Sequence, residues 1–242
     1  MMAKVLIGTS GWSYSQWKDN FYPAEIKSQD YLKHYASVFD TTEINNSFYH
    51  LPSEKSLKKW MEVTPSDFVF AIKASRYITH NKKLKDPEES IDNFFEAIKP
   101  IKKKSGPILF QLPPNWHANP KRLELFLKTL PDGYQYTFEF RDKDWLNDEI
   151  YQLLKQHNAA LCFYDFKGFQ SPEVITADFI YIRLHGPEKA YQGSYNGHRL
   201  NAYAEKIRQW QQQGFDVYCY FDNDQKGCAP QDARQLSDAL KN

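Results

Sequence analysis

No disulfide framework, membrane span or surplus of one charge sign can be read in this chain. Its 242 residues hold three cysteines, Cys162, Cys219 and Cys228, an odd number without the paired spacing of metal-binding or redox motifs. That pattern fits reduced thiols in a cytosolic protein, and Cys162 and Cys219, lying inside apolar runs, are expected in the core. No stretch approaches the roughly 18 apolar residues of a membrane-spanning helix. The opening MMAKVLIGTSGW is too short in its apolar part for a signal-peptide core, so cytoplasmic residence and no membrane partner are expected. Lysine plus arginine (31) nearly equals aspartate plus glutamate (30), so there is no global basic field for nucleic acid and any basic patch must be local. No GxGxxG or Walker loop follows the first apolar run, and HExxH, CxxC and GxSxG do not occur. Dinucleotide binding, zinc proteolysis, dithiol redox chemistry and serine hydrolysis are thereby disfavoured.

What the chain does hold is 41% hydrophobic and 16% aromatic residues, enough for a large core. Eight short β-rich segments recur: VLIGT from Val5, TTEIN from Thr41, FVFAIK from Phe68, GPILFQ from Gly106, YTFEF from Tyr136, AALCFY from Ala159, FIYIRL from Phe179 and VYCYF from Val217. Nearly every one is followed by a stretch with helical periodicity: 30–38 behind Asp30 as a candidate N-cap, 53–61, 87–101, 120–130, 146–157, 199–213 closed by Gly214, and 231–241. The segment 167–177 holds little more than a helical turn. Strict β-then-α order demands parallel strands joined by right-handed crossovers. Eight such units predict an α/β fold of the (β/α)8 TIM-barrel type, a single domain over 1–242, with an open doubly wound sheet as the alternative.

In a barrel of this type catalytic groups sit at the C-terminal ends of the strands, and those ends are polar here. In order they offer Thr9 and Ser10, Glu43 and Asn45, Lys73, Gln111, Glu139 with Arg141, Asp165, Arg183 with His185, and Asp222 with Asn223. The run TTEINNSFYHLP is the most telling, because an isolated buried carboxylate is too costly to keep unless it is paired or working. Glu43, Glu139, Lys73 and His185 are the candidate catalytic residues. Trp12, Asn45, Tyr49, His80, Gln111, Arg141, Arg183 and Asn223 are candidates for substrate binding. Arg183 and His185, two apart on a strand, should project to the same side. A salt-bridge network of Glu43, Lys73, Glu139 and Arg183 that merely satisfies the strand ends is the bland alternative. Too few histidines stand at strand ends for a multinuclear zinc site. A single divalent cation on Glu43, Glu139 or Asp222 stays open as a cofactor.

The cationic groups Lys73, Arg141, Arg183 and His185 match phosphate or carboxylate. A hydrolase or lyase acting on a small-molecule or nucleic-acid-related anionic ligand is therefore expected, the interleaved aromatics stacking a base or sugar. Two other readings stand beside it: a carbohydrate-active enzyme using Glu43 and Glu139 as a pair, and a binding or regulatory barrel without turnover. The residues do not specify an oligomeric state.

Eight ordered motifs, IGTSGWSYSQW, FYP, TTEINNSFYHLP, FAIKASRYITH, FQLPP, FEFRDKDW, DFIYIRLHG and VYCYFDND, resemble the domain of unknown function 72 family, also called YecE-like, over essentially the whole chain. The resemblance implies a TIM-barrel-type fold and no particular reaction. The chain departs from the family pattern at Asp142, where EFRH is usual, at Asp222, where FNND is usual, and at Asp232, where asparagine is common. If those positions face the site, the changes toward acid weaken phosphate binding or strengthen cation binding.

Overall fold

The computed structural model describes residues 3–241. Eight parallel strands alternate with helices: β1 (Val5–Thr9), β2 (Thr41–Ile44), β3 (Val69–Lys73), β4 (Ser105–Leu112), β5 (Tyr136–Phe140), β6 (Ala159–Phe166), β8 (Phe179–Leu184) and β9 (Asp216–Phe221). Their order in the sheet is β1-β9-β8-β6-β5-β4-β3-β2, and a short β7 (Phe169–Gln170) pairs antiparallel with β6. The fold is thus the α/β, TIM-type class expected from the alternation. Parallel strands covered on both faces need continuous apolar sequence, which is why AALCFY and FIYIRL read as unbroken runs and are buried throughout.

The helices are α1 (Tyr31–Tyr35), α2 (Glu54–Val63), α3 (Glu88–Ile98), α4 (Pro120–Thr129), α5 (Asp148–Gln156), α6 (Gly197–Gln212) and α7 (Cys228–Lys241). Side-chain caps set four of their starts: Ser53 accepts from the Ser56 amide, Asn119 from Arg122, Asn147 from Ile150 and Asn196 from Arg199. The expected cap at Asp30 makes no such bond, and α1 is only five residues long. The stretch 167–177, expected to carry a helical turn, instead turns back through Lys167 and Gly168 to form β7, both residues having positive φ. The loop after β3 contains a π-helical turn, Tyr77–Asn81, where an irregular loop was expected; such turns often sit at functional sites.

Contacts divide the chain into two compact units. Unit 1 comprises the described residues up to Glu43, Phe163–Ser171 and those from Asp178 onward; unit 2 comprises Ile44–Cys162 and Pro172–Ala177. In unit 1, β1 pairs with β9 and β9 with β8, all in parallel register. Gly8 is required there: a Cβ would stand 2.2 Å from the Thr41 carbonyl oxygen. A parallel bridge joins Ser10 to Glu43 just beyond the end of β1. In unit 2, β3, β4 and β5 pair in sequence order, and Phe110, Phe126, Phe138, Phe140 and Trp145 form its aromatic core. Among the described residues no helix is long and apolar enough to cross a membrane.

Candidate functional site

In unit 1 the C-terminal ends of β1, β2, β8 and β9 present one connected polar network. Glu43 is fully buried, and four donors reach its carboxylate. Oε1 accepts from Ser10 Oγ at 2.7 Å and Arg183 Nη2 at 2.7 Å; Oε2 accepts from Tyr181 Oη at 2.6 Å and Arg183 Nε at 2.9 Å. The guanidinium thus grips Glu43 in the bidentate fork geometry that arginine provides. To act as a general base Glu43 would first have to give up one of these donors. Arg183 also lies 3.2 Å from Asp222 Oδ2, and its Nη1 is 3.3 Å from His185 Nε2. His185 Nδ1 in turn pairs with Asp222 Oδ2 at 2.8 Å. A carboxylate on Nδ1 fixes the ring and its tautomer. Arg183 in β8 and His185 just past its end do project to the same side, as period two requires. Tyr181, two residues earlier, shares it too; the same alternation in FIYIRL would have exposed it.

Two further acids, Asp232 and Asp165, have structural partners of their own. Asp232 receives the Tyr195 amide at 2.9 Å, Asn223 Nδ2 at 2.7 Å and the Ser194 hydroxyl, so it pins the 186–196 loop. Asn223, expected to bind substrate, donates to Asp232 and to the Gly193 carbonyl at 2.8 Å. That loop turns sharply at Gly186, where φ is +115° and a Cβ would meet the Gln192 carbonyl oxygen at 2.4 Å. Asp165, at the end of β6, is buried and receives Arg199 Nη2 at 2.6 Å; burial pushes its carboxyl above the usual range.

Asp224 was not singled out in the sequence. Burial first, and then the Asp222 charge, push its carboxyl up to about 6 from 3.8. Gln16 Nε2 donates at 2.9 Å. Between those two values the folded state binds more protons than the unfolded chain. The stability contributed by this proton is therefore complete below about pH 3.8 and is lost as pH rises through about 6. Asp224→Asn is expected to leave the thermal midpoint unchanged near pH 4 and to raise it at about pH 7, in melts recorded across that range.

Unit 2 brings a different set together. Glu139, fully buried at the end of β5, pairs with Arg141 Nε, accepts from Gln111 Nε2 at 3.1 Å, and has Cys162 Sγ 4.0 Å from its Oε2. Lys73, ending β3, lies with its ammonium 4.3 Å from the Phe48 ring centre, a cation–π contact. Phe48 packs edge-on against His80 with centroids 5.0 Å apart, and His80 Nδ1 is 2.9 Å from the Thr79 hydroxyl. His80 is held down at about 4, by burial first and then by the positive charges of Lys73, Arg76 and Arg141. Asn45 is half-buried with its Oδ1 buried and unpaired, and Tyr49 is 65% exposed. In unit 1, Trp12 is half-buried, its carbonyl receiving the Tyr22 hydroxyl. The acids expected to hold a cation, Glu43, Glu139 and Asp222, are each engaged by the donors described above, with which a metal ion would compete.

The family model described as "Protein of unknown function DUF72" matches residues 6–242. The chain belongs to this family. Among relatives of this chain, the UPF0759 protein YunF of Bacillus subtilis (strain 168) is 27% identical over 270 aligned positions, covering 98% of this chain and 94% of that protein. The UPF0759 protein YecE of Escherichia coli (strain K12) is 25% identical, covering 86% of this chain and 82% of that one. The crystal structure of a DUF72 family protein from Thermotoga maritima MSB8 superposes with a TM-score of 0.90 at 29% identity, over 99% of this chain and 100% of that one. A DUF72 protein from Enterococcus faecalis V583, at 20% identity, shares the fold with a TM-score of 0.81, over 98% of this chain and 96% of that one.

Proposed function

We propose that this chain is an enzyme, a hydrolase or lyase, whose substrate carries a phosphate or carboxylate group held in unit 2 by Lys73, Arg76 and Arg141, with His80 as the proton-transfer group. One observation carries the reading: Lys73 and His80 flank the same ring, Phe48, at 4.3 and 5.0 Å, where the positive charges of Lys73, Arg76 and Arg141 add to burial in disfavouring the imidazolium. A field that disfavours imidazolium favours an anion in the same place. An anion bound there offsets the cationic part of that depression, while the part due to burial stays, and so moves the imidazole toward the range in which a general acid or base works at neutral pH. Substrate binding and catalytic readiness are thereby coupled. Exposed Tyr49 and Tyr77, 65% and 56% accessible, stand in loops of the same unit. Stacking on such rings is worth about 1–3 kcal/mol per base, which extends the reading to nucleotide-like substrates. The carbohydrate alternative is less well supported, because the Glu43 carboxylate is already gripped by four donors and Glu139 by Arg141 and Gln111.

The test is a turnover panel of phosphomonoesters, phosphodiesters and carboxylate esters on the wild type, Lys73→Met and His80→Asn. Turnover of at least one anionic class is expected, inhibited competitively by inorganic phosphate. His80→Asn should lower kcat by roughly a hundredfold, as for loss of a general acid–base group. Lys73→Met should act mainly on KM. Turnover that ignores phosphate and survives both substitutions would overturn the assignment.

A further inference from the structure

Apart from the strand-end networks, His117, Asp142 and Asp144 bring three ligand-type atoms together in unit 2. His117 Nδ1, Asp142 Oδ2 and Asp144 Oδ2 all lie within 4.8 Å of one another, the imidazole nitrogen 3.4 Å from Asp142 and 2.6 Å from Asp144. Donors bound at about 2.1 Å to one metal ion stand about 3–3.4 Å apart in octahedral or tetrahedral geometry, so small rotations of these side chains suffice. The backbone is already set. The Asp144 amide holds Asp142 Oδ1 at 3.1 Å and leaves Oδ2 turned toward His117. The two loops are locked beside the cluster by neighbouring tryptophans: the Trp145 indole N–H donates to the Trp116 carbonyl, and the rings meet edge-on at 5.0 Å. Trp145 is fully buried and stacks on Phe140 at 5.1 Å.

We infer that His117, Asp142 and Asp144 form a binding site for a divalent transition-metal ion. One imidazole and two carboxylates are a mixed N/O set suited to Zn²⁺ or Mn²⁺, whereas Mg²⁺ prefers oxygen alone. With the His117 side chain 80% exposed, exchangeable water would fill the remaining coordination positions, as in three-ligand sites. The site is independent of the anion-binding reading above. The test uses chelator-treated full-length protein titrated with Zn²⁺ by calorimetry and with Mn²⁺ by loss of the free-ion EPR signal. About one equivalent should bind, with no competition from excess Mg²⁺. His117→Ala and Asp144→Asn should each weaken binding by roughly a hundredfold, at least the loss seen when outer-shell partners of metal sites are removed. Both residues lie on the surface, so unchanged thermal melts in the metal-free state should accompany that loss. Failure to bind either ion, or binding that survives both substitutions and so belongs to other histidines, would overturn the assignment.

Discussion

Glu43→Ala is expected to lower the thermal midpoint by roughly 10 °C, at about 3–5 kcal/mol for breaking a buried ion pair and about 2–4 °C per kcal/mol for a chain of this size. The loss comes from what stays behind. Arg183 is fully buried, and Glu43 takes bonds from its Nε and from its Nη2. Without Glu43 the guanidinium keeps Asp222 as an acidic neighbour, at 3.2 Å. Ser10 and Tyr181 lose their acceptor at the same time. Tyr181→Phe, which removes one of the four donors, should cost about 1–2 kcal/mol. The double variant Glu43→Leu with Arg183→Met should be more stable than the sum of its single variants, because it removes both charges together. Urea and thermal unfolding of the four proteins measure this directly. A midpoint for Glu43→Ala within about 2 °C of wild type would show that the network is not what holds these strand ends.

Saturating phosphate is expected to raise the pKa of His80 from about 4 by at least about one unit, as measured by NMR titration of its ring signals. The direction follows from the sign of the local charge. Lys73, Arg76 and Arg141 disfavour the imidazolium, and a bound dianion reverses that preference. Removing cations does the same without ligand: Lys73→Met and Arg141→Met should each raise the His80 value, the remaining depression being that of burial. The double variant should also weaken phosphate binding by about a hundredfold, at roughly 1.5 kcal/mol for each charged hydrogen bond lost. Unchanged His80 signals with phosphate present would place the anion elsewhere. A shift that persists in the double variant would show that these side chains do not bind it.

Much of this architecture is legible along the chain because each cause is local. A buried strand shows either a mostly apolar run, as in FIYIRL, or period-two alternation, as in YTFEF, and both were found to the residue. Helix starts followed from caps such as Ser53 and from periodicity. The misses are also physical. The stretch after β6 folds into a hairpin because Lys167 and Gly168 accept left-handed backbone, a conformation that helical spacing does not report. Asp232 stood out only as a departure from the family pattern, and its partners Tyr195, Ser194 and Asn223 could not be read from the chain, since a carboxylate's role depends on which donors reach it. His117 carried no signal: its partners lie in another loop, brought alongside by two tryptophans.

The same division runs through the polar strand ends. That Glu43, Arg183 and His185 must lie at strand ends, and that a carboxylate in TTEIN could not be left solitary, followed from pattern and from the cost of burying charge. That Glu43 is satisfied by Arg183, 140 residues away, and further engaged by Ser10 and Tyr181, did not. Pattern along a chain records which face each side chain takes. Which charges meet depends on strand register and loop placement, and those arise only when distant segments pack together.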